Sequence, residues 1–173
     1  MAWLAFTKSA QARNIALLEI KQLLKTLEMT SGVPESFWRE PYPVGFVSGY
    51  VLGTWLYMVG KNIEAAAVSK TFYDVLGELA PDKVLDVAQR FASWKEKKNS
   101  DLSEGETNGA TLALFLLGQK NAVDNKPVVI EARRKSKEMP AFFDNLQIEA
   151  DEEGKVGIVL RMNVFYDRMK QFE

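Results

Sequence analysis

A chain of 173 residues has the size of a single domain, and its 22 basic and 23 acidic side chains leave a formal charge of −1, with no excess to draw it to nucleic acid or an anionic membrane. Hydrophobic residues at 47% and charged residues at 26% exclude disorder of the whole chain. Cysteine and histidine are both absent, which removes disulfides, thiolate nucleophiles, Cys/His zinc sites and every triad that uses imidazole.

The segment 1–8 is apolar but short. It has no basic leader and no long apolar run, so it does not read as a signal peptide, and a cytoplasmic location is expected. Ser9 is the expected N-cap of a first helix over 10–29. Leu17, Ile20, Leu24 and Leu27 recur there at helical spacing, Glu19, Lys21, Lys25 and Glu28 lie between them, and Gly32 is the stop. Residues 30–43 then read as a loop, because Pro34, Pro41 and Pro43 oppose a regular helix. Its Phe37, Trp38 and Tyr42 are expected to fold back on the core as a flap.

No charge falls in 41–60, where Gly45, Gly49 and Gly53 recur every fourth residue and share one helical face. Each interior glycine costs a helix roughly 0.8–1 kcal/mol relative to alanine. The physical gain is close approach by another rod. The leading expectation is a buried central helix that accepts a neighbour from the same chain; a homodimer face and a membrane span are the alternatives. A span needs about 20 apolar residues, and Ser48, Thr54 and the glycines argue against one.

A third helix is expected over 63–79, capped by Asn62, with its Ala65-Ala66-Ala67 start as a small surface to dock on the glycines. Pro81 breaks it and opens a fourth helix over 82–98. There Lys95, Lys97 and Lys98 complement the helix dipole. Residues 99–105 read as a polar loop that fails the calcium-loop pattern. Ser103 or Thr107 would cap a fifth, charge-free helix ending at Leu117. Beyond it, 127–138 is ambiguous between helix and strand, with helix preferred. Arg133, Arg134, Lys135 and Lys137 form a solvated basic face rather than a nucleic-acid patch. The alternation in 146–150 and 156–160 around the turn 151–155 predicts an antiparallel hairpin, and a short helix closes the chain over 163–172.

Catalytic equipment is sparse. Ser48 lacks nucleophile-elbow spacing, no Ser-x-x-Lys pair occurs, and no phosphate-binding loop or dinucleotide fingerprint is present. Carboxylate chemistry stays open, with Glu19, Glu35, Glu40, Asp74, Glu78 and Asp86 as candidates. Phe46-Val-Ser-Gly-Tyr-Val-Leu-Gly53, followed by apolar helical stretches at 84–91 and 112–117, resembles small helical immunity proteins that block type VI amidase effectors. The resemblance covers about a third of the chain and implies an effector-neutralising binding protein.

The expected fold is mainly α (α+β). Five to six helices pack around the glycine-laddered helix, with a C-terminal hairpin, in one domain over 1–173 whose helical part is 9–120 and whose hairpin part is 126–173. The expected function is non-catalytic and accessory, through a protein partner or a second copy, with no cofactor, metal or nucleic acid. The interaction face would be Gly45, Gly49 and Gly53. The alternative is a small-molecule binder or carboxylate hydrolase with a pocket of Trp38, Tyr42, Tyr50, Trp55 and Tyr57.

Overall fold

A computed structural model of the chain describes residues 2–30, 32–60, 62–120, 146–150 and 156–160. Between residues 2 and 120 it is helical, with five helices: α1 (Ala2–Thr30), α2 (Pro41–Val59), α3 (Ala65–Leu79), α4 (Val84–Glu96) and α5 (Ser100–Lys120). Single 3-10 turns at Phe37–Arg39 and Pro81–Lys83 lead into α2 and α4. The helix-or-strand segment 127–138, the hairpin turn 151–155 and the closing helix 163–172 lie outside the described residues.

Several boundaries differ from the sequence expectation, each for a local reason. Helix α1 runs through Ser9 back to Ala2, because nothing in that stretch breaks a helix. Ser9 is no cap: its hydroxyl meets that of Thr71 on α3 at 3.4 Å. Pro41 and Pro43 do not belong to a loop. They sit in the first turn of α2, where amides have no helical acceptor to lose. Tyr42 is accordingly a helical residue, fully buried, and not part of a flap. Helix α3 starts at Ala65 with Glu64 at its N-cap position, rather than after Asn62. Residues 99–105 are not a loop. Asn99 caps α5, its side-chain oxygen accepting the Leu102 amide at 2.9 Å, and the helix begins at Ser100.

Helix α2 is the centre of the molecule and touches each of the other four helices. Its Tyr42, Val44, Phe46, Tyr50 and Val51 are excluded from solvent. Helix α1 lays the row Ala12, Ala16, Ile20, Leu23 and Leu27 into this core. Thr71 ties three helices together. Its hydroxyl donates to the Ala67 carbonyl at 2.8 Å and accepts the Trp55 indole N–H at 3.1 Å, with Ser9 as its third neighbour. One proton and two lone pairs are thereby all used, as a buried hydroxyl requires.

The glycine stripe of α2 is filled from within the chain. The occupant is α5, not the alanine start of α3, where Ala65 and Ala66 stay exposed. Gly45 lies against the Leu102 carbonyl, Gly49 against that of Glu106 and Gly53 against that of Ala110. The contact is reciprocal. Gly105 lies against the backbone of Tyr42 and Phe46, and Gly109 against that of Phe46 and Tyr50. Partners rise together along both chains, so α2 and α5 run parallel, and α3 with α4 carries the chain back between them. Two helical backbones this close bring Cα–H groups against carbonyl oxygens, a weakly favourable contact that only glycine permits turn after turn. Among the described residues no helix is long and apolar enough to cross a membrane.

Candidate binding cleft

Beside the glycine lock, α2 presents a neighbouring stripe, offset by one residue, to a cleft that Glu106 of α5 also lines. Ser48, Leu52 and Leu56 recur every fourth residue along it. Helix α3 faces them with Val68 and Phe72, α4 adds Phe91 and Lys95, and α5 adds Glu106. The cleft encloses about 370 Å³, within the range of small-molecule sites. Its walls are mainly apolar, with Ser69 and Tyr73 of α3 among the lining residues, and three of its polar side chains, Ser48, Glu106 and Lys95, are linked to one another.

That linked group is positioned by the helix lock. The Glu106 backbone carbonyl is pressed against Gly49, which fixes where its side chain leaves α5. Ser48, the residue before Gly49, donates to Glu106 Oε1 at 3.3 Å. Lys95, in the last turn of α4, donates to Oε2 at 2.6 Å, and its ammonium also lies 5.5 Å from the centre of the Phe91 ring. Both carboxylate oxygens are therefore engaged. Glu106 is 22% exposed and Lys95 49% exposed.

The five aromatic residues expected to line a pocket take other places. Tyr42 and Tyr50 are fully buried and Trp55 is nearly so. The Tyr42 hydroxyl accepts from the side-chain amide of Asn108 at 3.0 Å, across the α2–α5 contact. Burial, with the charge of Glu19 adding to it, raises the Tyr50 phenol far above its ordinary range, so it is neutral at any physiological pH. The Trp55 indole is satisfied by Thr71. Trp38 packs edge-on against Phe37 at 4.9 Å, and Tyr57 is half-buried. None of the five lines the cleft. The Gly49-Tyr-Val-Leu-Gly53 element thus sits inside α2 as packing, with Tyr50 turned into the core.

Candidate acids fare similarly. Glu78, Asp74 and Asp86 pair with Arg13, Lys70 and Arg90 at the surface. Among the described residues no group of three or more acids converges as a metal site would need. Sequence reasoning passed over Glu106, and it assigned Lys95 only to the helix dipole. The signal that could have found them is the polar Ser48 one position before Gly49, on a stripe otherwise apolar. Comparison with protein-family models, curated proteins and solved structures finds no match for this chain.

Proposed function

We propose that the protein is a non-catalytic binding protein that takes a small amphipathic molecule into the cleft between α2, α3 and α4. One observation carries this: the apolar residues Leu52, Val68 and Phe72 line the same cleft as a linked polar group, Ser48, Glu106 and Lys95. Such an arrangement orients a ligand by its head and holds it by its body. Among the described residues, no second acid lines the cleft beside Glu106. Chemical-shift titration with a neutral probe, 2-phenylethanol, tests the reading. Saturable shifts at Leu52, Phe72 and Phe91, lost in Val68→Trp, are expected. Shifts scattered over the surface, or unchanged by Val68→Trp, would remove it.

A second reading, binding to a protein partner or a second copy, draws on Leu18 and Met29 of α1 and Leu85 of α4, which are 58%, 77% and 81% exposed. Sedimentation equilibrium checks the second copy: association that weakens in Leu85→Ser supports it, and a monomer at high concentration ends it. Both readings take the chain as one domain with a C-terminal hairpin. The pairing of Leu146–Ala150 with Val156–Leu160, Leu146 opposite Leu160, supports the hairpin and agrees with the alternation in those segments.

A further inference from the structure

We propose that the ligand of this cleft is a primary amine on an apolar or aromatic body, and that the Lys95 ammonium occupies the amine's place until it is displaced. The inference rests on the cleft being a binding site. Lys95 sends its ammonium between an acid and an aromatic face: 2.6 Å from Glu106 Oε2 and 5.5 Å from the Phe91 ring centre. That is the environment a bound ammonium seeks, a carboxylate to pair with and a π-face to rest on.

The two partners of this pair differ in how firmly they are held. Lys95 is half exposed on a flexible stem at the end of α4, and an exposed ion pair of this kind is weak. Glu106 is mostly covered, its carbonyl is locked against Gly49, and its other oxygen accepts from Ser48. An incoming ammonium can therefore take over Glu106 while Lys95 swings into water. The incoming body would lie along Leu52 and Phe72. An anionic head in the same place would lie against the carboxylate of Glu106, and the two negative charges would repel each other. The charge arrangement accordingly selects amines over carboxylates.

Titration of the full chain with 2-phenylethylamine, 2-phenylethanol and 3-phenylpropanoate tests this, with circular dichroism confirming that each variant is folded. The amine should bind at least about tenfold more tightly than the alcohol, and the carboxylate most weakly. Lys95→Ala should tighten the amine several-fold by clearing its place, while Glu106→Gln should bring the amine down to the level of the alcohol. An amine that binds no better than the alcohol, or that weakens in Lys95→Ala, overturns the amine assignment and leaves the cleft reading standing. A carboxylate that binds best and is lost in Lys95→Ala overturns it in favour of an anion site. Absence of binding by all three overturns both.

Discussion

A methyl group at Gly49 would land on the Glu106 carbonyl, and neither backbone can turn aside without leaving its helix. Gly77 in α3 is the counter-case, since an added Cβ there meets nothing within 4 Å. Gly77→Ala should therefore stabilise the protein by roughly 0.5–1 kcal/mol through helix propensity and a less free unfolded chain. Gly49→Ala gains the same propensity but must force two helices apart, so a net loss of roughly 2 kcal/mol or more is expected. Urea denaturation of both variants checks the pair; losses of similar size at both sites would contradict the close contact. Tyr50 offers a second test at this scale. Its hydroxyl is buried with no hydrogen-bond partner among the described residues, so Tyr50→Phe should be neutral or mildly stabilising, in contrast to the usual penalty for removing a buried tyrosine hydroxyl. The phenol's raised pKa also sets a sign. The folded state holds this proton more tightly than the unfolded state, so its contribution is complete below the ordinary tyrosine value of about 10 and falls away as pH rises beyond it. Stability measured from pH 9 to 11 should decline more steeply in the native protein than in Tyr50→Phe.

At the level of the element, α5 depends on a cap that opposes the polar look of its first turns. Asn99→Ala removes the acceptor of the Leu102 amide and should cost about 1 kcal/mol, read as a lower melting temperature with unchanged helical content at low temperature. A loss indistinguishable from zero would mean the helix start is held by packing alone. The same turns show where the sequence was legible and where it was not. The spacing of Gly45, Gly49 and Gly53 announced a bare helical stripe, because a period of four on an uncharged segment has one geometric meaning. It did not name the occupant, since glycine carries no side chain to specify a partner. Gly105, Gly109 and Ala113 repeat the spacing on α5, but Asp101, Ser103 and Glu104 around its start imitate a loop that took in Gly105, so the second ladder lost its first rung. The cleft was hidden for a different reason: its walls come from four helices, and each contributes residues that alone read as ordinary core or surface. The five aromatics drew attention as pocket candidates because hydrophobicity and ring size do not distinguish a lining residue from a packed one.

Over the whole molecule, the lock between α2 and α5 makes the two helices one unit although α3 and α4 separate them in the chain. Their amides can exchange with water only when the glycine contacts open along most of their length, because each backbone covers the other at Gly45, Gly105, Gly49, Gly109 and Gly53 in turn. Helix α4 stands differently. Val87 is its one buried residue, and Leu85 and Arg90 point to solvent. Val84, Phe91 and Trp94 pack on the core only partly buried, so local opening of α4 exposes less apolar surface than opening of α2 and should be possible without unfolding the rest. Native-state hydrogen exchange should then find the central amides of α2 and α5 protected to the same free energy, equal to that of global unfolding, with α4 less protected. Gly49→Ala should lower the first two together and by equal amounts while changing α4 less. If α5 instead lost its protons at lower denaturant than α2, the reciprocal contact would not be what unites them. The same opening matters for the cleft. Phe91 and Lys95 enter it from α4, the helix with the weakest hold, whereas Ser48 and Glu106 enter from the locked pair. A ligand bridging Glu106 and Phe91 should therefore raise protection in α4 and leave α2 and α5 close to their unbound values.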